Sequence, residues 1–245
     1  MQLKAVISFS LIFLLSGCYY LQSPSTPMET VSYLSKNGTD KNNSQRKLMV
    51  LLPGIGDGAE KFYQHGVVDM IQHKYPDMDV IAVNAHLKYY QARTITEQLR
   101  TDIIKPARDA GYQEIYLGGI SLGGFGSLLY LRQYPEDIAK AFIMAPYLGE
   151  AQDYDYLLAD STKEISTTAA PTENSIWLWL TSLPDVTRQK IYLAYGAEDK
   201  FATSNNLLAK YISPEQVLVQ RGKHHWKTWE QLWPALLAKP DVAKQ

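Results

Sequence analysis

From residue 47 onward, short apolar runs alternate with longer amphipathic stretches. The runs Lys47–Leu52, Asp79–Val83, Glu114–Leu117, Ala139–Ala145, Lys190–Tyr195 and Gln216–Val219 are close to continuous in apolar content, and each ends near a Gly, a Pro or a polar turn. Continuity rather than alternation suits strands buried on both faces of a parallel sheet. Between them, apolar positions recur at the spacing of one helix face over Glu60–Lys74, Thr94–Ala110, Gly123–Gln133, Ala202–Lys210 and Trp226–Leu237. The β-α-β-α order predicts an α/β fold, a mostly parallel sheet flanked by helices and joined by right-handed crossovers. One interval breaks the rhythm. Between Pro146 and Pro184 the chain is far longer than an ordinary αβ loop, is rich in Tyr, Thr and acidic residues, and carries Trp177 and Trp179 near its end. It reads as a small cap or lid inserted over about 147–186.

Before residue 47 the pattern differs. Lys4 precedes an apolar run from Ala5 to Leu15, too short to cross a hydrocarbon core of about 30 Å. Small residues follow, in the order of a signal peptide covering 1–17. The stretch Leu15-Ser16-Gly17-Cys18 resembles the lipobox of bacterial lipoproteins, in which the chain is cut before the Cys and the Cys is lipidated. That resemblance implies that Cys18 is the mature N-terminus and carries several acyl chains, each buried methylene adding about 0.8 kcal/mol of membrane affinity. Position 19 holds Tyr rather than Asp, which by the same resemblance points to the periplasm-facing outer membrane. The alternative is an ordinary secretory signal, or a buried N-terminal helix with an idle thiol. From Leu21 to Lys47 the chain is rich in Ser, Thr, Asn and Pro and reads as a flexible tether. One domain over 47–245 is thereby expected.

Composition narrows the partners. The chain has 245 residues, 46% of them hydrophobic and 20% charged, enough for one sizeable core. Lys and Arg number 24 against 25 Asp and Glu, so global charge gives no reason to expect a nucleic-acid partner. A single Cys rules out an intramolecular disulfide, and the fold must hold by packing.

Candidate chemistry clusters at the ends of three strands. The run Glu114–Leu117 leads into Gly118-Gly119-Ile120-Ser121-Leu122-Gly123-Gly124 and then into a helical pattern. This is G-x-S-x-G at a strand-to-helix turn, where a nucleophilic Ser needs a sharp bend and small neighbours to lift its Oγ clear. The N-terminus of the following helix favours negative charge developing on a substrate oxygen. After the fifth run comes Gly196-Ala197-Glu198-Asp199, an acid at the carboxyl edge of a parallel strand, where catalytic groups of open α/β sheets gather. After the sixth comes Gly222-Lys223-His224-His225-Trp226, before the last helix. The order Ser…Asp…His is the one expected of an α/β-hydrolase.

Residues 47–239 resemble the α/β-hydrolase fold superfamily, and the last stretch is similar to the G-x-H-x-W pattern of several esterase-like members. The resemblance implies Ser121 as nucleophile, Asp199 as acid and His224 as base. Glu198 competes with Asp199, and His225 with His224; a helix N-cap before Phe201 is the bland role for Asp199. The turn Pro53-Gly54-Ile55-Gly56-Asp57-Gly58 follows the first strand, where the family often has His-Gly-x. Backbone amides of Ile55 and Leu122 are the expected oxyanion hole, with Gly56 as an alternative first donor. His65, His73 and His86 read as solvated or structural. No metal is expected, because the His224-His225 pair lacks a second ligand set. No cofactor is expected either, since the Gly-rich turn lacks G-x-G-x-x-G and a P-loop Lys. The combined expectation is a membrane-anchored serine hydrolase acting on a small acyl ester, with thioesters sharing the chemistry. The alternative is a non-catalytic binding or envelope-assembly lipoprotein of the same fold.

Overall fold

The computed structural model describes residues 27–35, 46–158 and 176–242. Cys18, the segment 1–17 and the middle of the 147–186 insertion lie outside the described residues. Seven strands form one sheet: β1 Thr30–Tyr33, β2 Lys47–Leu52, β3 Met78–Val83, β4 Glu114–Ile120, β5 Lys140–Met144, β6 Ile191–Gly196 and β7 Val217–Gln220. Their order is β1-β3-β2-β4-β5-β6-β7, parallel throughout except for β1, which runs antiparallel to β3. The six apolar runs are thus the six parallel strands, each within a residue or a few of its expected bounds. Leu48 through Leu52 are fully buried, as a strand covered on both faces requires.

Two adjacent glycines on β4 show where the covering helices sit. A Cβ on Gly118 would meet Trp233 of the helix Trp226–Val242, whereas a Cβ on Gly119 would meet Gly123 and Ser127 of the helix Leu122–Gln133. Successive strand residues point to opposite faces, so these two helices cover opposite sides of the sheet. Val67–Lys74 packs with the first of them, and Ile95–Leu99 with the second.

Two helical expectations change in detail. The stretch Glu60–Lys74 is two helices, Lys61–Gln64 and Val67–Lys74, divided at Gly66, which takes the left-handed region at φ 70°. The stretch Thr94–Ala110 holds a wider π-type turn, Arg100–Ile104, between Ile95–Leu99 and Lys105–Asp109. That turn lies just ahead of Pro106, which has no N–H to continue the α-pattern. A short helix, Leu87–Gln91, is additional; five residues are too few for a helical period to register.

The tether expectation needs correcting. The interval 21–47 contains β1, whose residues pair Thr30 with Val83 through Tyr33 with Val80. Its flanks are also fixed: the Met28 amide donates to Asp102 at 2.9 Å, and the Ser35 amide donates to the buried Asp79 at 2.8 Å. Its four residues are mostly exposed, so β1 has no apolar run to reveal it and is defined by the open edge of β3 that it covers. The insertion is corrected at one end. Trp177 is fully buried, and its indole N–H donates to the Leu148 carbonyl at 2.9 Å. The helix Ile176–Thr181 therefore belongs to the core and not to a lid.

Asp79 ties this edge together. Besides Ser35 it accepts from the Tyr112 hydroxyl at 2.6 Å and from Arg46 at 3.4 Å, and Arg46 lies over the Tyr112 ring. Burial, followed by the bond to Asp79, pushes the Tyr112 hydroxyl up to about 12. Asp79→Ala removes the acceptor from two buried donors and should cost about 2–4 kcal/mol in urea unfolding, whereas Tyr112→Phe should cost about 1 kcal/mol. Equal costs would refute Asp79 as the hub.

Candidate active site

The turn between β4 and the helix Leu122–Gln133 forces Ser121 into an unusual conformation, φ 53° and ψ −112°. A non-glycine residue there stores about 1–3 kcal/mol and needs surrounding structure to hold it. The Ser121 amide donates to the Met144 carbonyl at 2.9 Å, and its own carbonyl accepts from Phe125 and Tyr147, both at 3.1 Å. The flanking glycines allow the approach. A Cβ on Gly123 would stand 2.0 Å from the Leu52 carbonyl oxygen, and one on Gly119 would stand 2.2 Å from the Gly123 carbonyl oxygen. Both obstacles are backbone, so neither can rotate away.

Two loops bring the other groups. After β6, the Asp199 amide donates to the Gly196 carbonyl at 3.1 Å, and the Glu198 amide donates to Gly222 at 2.9 Å, joining the acid loop to the histidine loop. His224 Nε2 lies 3.0 Å from Ser121 Oγ, and its Nδ1 lies 2.9 and 2.8 Å from the two Asp199 carboxylate oxygens. The Asp199 side chain has no exposed surface and that of His224 only 12%, so water competes little for these bonds. With Nδ1 protonated toward Asp199, Nε2 is free to accept the Ser121 proton.

The rival positions separate cleanly. Glu198 pairs with Arg221 at 2.8 Å on the surface, and His225 is exposed. Asp199 also accepts the Phe201 amide at 2.8 Å, so the capping role coexists with the contact to His224. Leu122 is the first residue of its helix and is buried, and its amide is one of those a helix leaves without an internal acceptor. Ile55 is half exposed on a turn closed by the Asp57 amide donating to Gly54 at 3.2 Å. A Cβ on Gly54 would come within 3.6 Å of the Ser121 Cβ, so this turn runs directly beside Ser121. Among the described residues no group of three His, Cys, Asp or Glu side chains could hold a metal ion, and no helix is long and apolar enough to cross a membrane.

A strut next to these loops had no sequence signal beyond Trp226 itself. The Trp226 indole N–H donates to Asp57 at 2.9 Å, which links the histidine loop to the turn carrying Ile55. His65 stacks on Trp226 at 4.1 Å between centroids, 4° from parallel, and its Nδ1 lies 2.6 Å from Glu230. Trp229 contacts both Trp226 and the edge of His224. Burial pushes the Asp57 carboxyl above its ordinary range, opposed by the bond from Trp226.

Comparisons with known proteins bear on the family and the fold. Residues 62–239 match the sequence model of the Esterase family. Among solved structures, a ferulic acid esterase superposes with a TM-score of 0.61 at 14% identity, covering 87% of this chain and 92% of its own. An S-formylglutathione hydrolase from Staphylococcus aureus gives 0.57 at 17% identity, covering 89% and 98%. The protein Est1E from Butyrivibrio proteoclasticus, solved with ferulic acid, gives 0.56 at 11%, covering 88% and 96%. At these identities the structures establish the α/β-hydrolase fold. No curated protein matches the sequence significantly.

Two outcomes are expected. Gly123→Ala should lower stability by at least about 1–3 kcal/mol through overpacking, read as a fall in melting temperature; an unchanged melt would refute the close approach at Leu52. The raised Asp57 value favours folding while the carboxyl is protonated, and that benefit is lost as pH rises from about 3.9 through the raised value. Asp57→Asn keeps an acceptor for Trp226 and carries no charge. Its stability relative to wild type should therefore increase across that window, measured by urea unfolding at stepped pH.

Proposed function

The chain belongs to the Esterase family, and from that premise we propose that this serine hydrolase is membrane-anchored and cleaves carboxylic esters through an acyl-serine intermediate at Ser121, His224 and Asp199. The observation that carries the reading is the unbroken line from Ser121 Oγ to His224 Nε2 and from His224 Nδ1 to Asp199. As Ser121 Oγ attacks the carbonyl carbon, His224 takes its proton, and Asp199 stabilises the imidazolium and holds its orientation. The carbonyl oxygen becomes an oxyanion, stabilised by the amides of Leu122 and Ile55 and by the helix N-terminus behind them. When the C–O bond to the alcohol breaks, His224 hands its proton to the leaving oxygen, which departs as the alcohol. Water then gives a proton to His224 and its oxygen to the acyl carbon. Collapse of that second intermediate releases the carboxylic acid and returns the proton to Ser121. A thioester follows the same steps with a thiol leaving.

The anchor rests on the signal pattern ending in Cys18. Cleavage there and acylation of Cys18 would put two or more chains into the bilayer, and one chain alone binds only reversibly. The Met28 amide, nine residues beyond Tyr19, is bound to Asp102 at 2.9 Å.

Wild type should label with a fluorophosphonate probe and hydrolyse p-nitrophenyl esters, and Ser121→Ala should lose labelling and about 10³–10⁶ of kcat. Retention of activity by Ser121→Ala would place the nucleophile elsewhere. For the anchor, the full chain expressed in a bacterial host should partition into a detergent phase and show a mass consistent with acylation at Cys18, and Cys18→Ala should move to the aqueous phase. Identical partitioning of the two would overturn the anchor.

A further inference from the structure

A cavity of about 330 Å³ opens beside the helix Leu122–Gln133, lined by Tyr90, Ile95, Phe125 and Leu129 together with the charged side chains of Arg93 and Arg132. None of Ser121, Asp199 or His224 lines it. The size is that of a small-molecule site, and its chemistry is amphipathic, aromatic and aliphatic walls with two guanidinium groups. Neither Arg93 nor Arg132 has an ion-pair partner among the described residues, although carboxylates are near: Glu97 is bound instead by Gln133 at 2.8 Å and by the Tyr134 hydroxyl. Arg93 also stands in the left-handed region at φ 57°, a conformation uncommon for a residue with a long side chain.

The cavity is joined to the triad by a row of rings. Phe201 meets the edge of His224 at 4.8 Å, Tyr147 meets Phe201 at 5.4 Å, Phe125 meets Tyr147 at 6.1 Å, and Tyr90 lies 6.5 Å from Phe125. All five side chains are partly exposed, so the row is a surface that a ligand can lie along. Phe125 follows Ser121 by one helical turn, about 6 Å along the axis. Charges along the row are mixed near His224, where Lys200 lies over the Phe201 ring at 4.8 Å and the Tyr147 hydroxyl donates to Glu150 at 3.1 Å. At the far end stand the two arginines, which would attract an anion on a bound molecule. The row begins at His224, the group that protonates the leaving oxygen, so it receives the alcohol portion of the ester.

We propose that this cavity is a specificity subsite for the alcohol portion of the substrate, and that the preferred esters carry an aromatic or aliphatic alcohol ending in a carboxylate held by Arg93 and Arg132. The proposal rests on the esterase reading above. Guanidinium groups match carboxylates in shape as well as charge, and the aromatic row supplies the apolar contact between the reacting carbon and that anion.

The test uses acetate esters of 4-hydroxyphenyl alkanoic acids of increasing methylene count, each beside its neutral primary amide. At one chain length wild type should favour the acid over the amide by about tenfold in kcat/KM, the equivalent of one charge-assisted contact, and the preference should shrink as salt rises. Arg132→Gln and Arg93→Asn, the latter tolerating a positive φ, should raise KM for the acids about tenfold and leave kcat and the amide kinetics unchanged. Direct binding of the same acids to the Ser121→Ala variant should weaken equally when either arginine change is added. No acid preference at any length, or arginine changes that alter acid and amide alike, would overturn the subsite. The esterase reading fails separately: if no ester is turned over and Ser121 does not label, yet Ser121→Ala binds the acids in an arginine-dependent way, the subsite stands and the hydrolase does not.

Discussion

Ser121 can occupy its strained backbone conformation only because β4 and the helix after it approach each other, and the neighbouring β2, more closely than any side chain allows. Gly119 and Gly123 are the two places where that approach is made, against the Gly123 and Leu52 carbonyls respectively. Everything at the site inherits its position from this contact. The bend lifts Ser121 Oγ to the carboxyl edge of the sheet and aims the first amides of the helix at the same point. It also leaves the Ser121 carbonyl to be held by Phe125 and Tyr147, so the strain is distributed over β5, the helix and the loop that follows.

The loops carrying Asp199 and His224 are bonded to each other independently of their contact with Ser121. Glu198 reaches Gly222 through its amide, Ala197 reaches Gln220, and the Lys223 amide donates to the Thr228 hydroxyl. The acid and the imidazole therefore arrive as one unit, with Phe201 and Trp229 packed on either side of His224. Trp226 extends that unit across to Asp57 and the turn beside Ser121. Three loops from distant parts of the chain thus share a small set of directed bonds, and an error of an ångström in one would reach all of them. Beyond His224, a row of rings runs through Phe201, Tyr147 and Phe125 to Tyr90.

Much of this was legible in the chain. Buried parallel strands are continuous apolar runs, so β2 to β7 follow from local pattern, and motif and chain order narrow the candidate site to Ser121, to Asp199 or Glu198, and to His224 or His225. Packing decides where pattern is silent. Thr30–Tyr33 carries strand-favouring Thr, Val and Tyr, but four mostly exposed residues without an apolar run do not mark a strand, and the open edge of β3 makes it one. Trp177 looks like a lid aromatic in sequence and is a core residue in the fold, because the Leu148 carbonyl is there to accept its N–H.

Residue type and spacing along the chain carry the fold class and a short set of candidate site residues at the ends of three strands. Only the tertiary structure decided that Asp199 rather than Glu198 faces the imidazole, that His65, Trp226 and Asp57 form a strut, and that Arg93 and Arg132 share a cavity. Those are relations between residues far apart in sequence, such as Asp57 and Trp226 or His65 and Glu230. Local pattern carries no information about them, because the distance between two such side chains is set by the packing of the sheet and helices that lie between them.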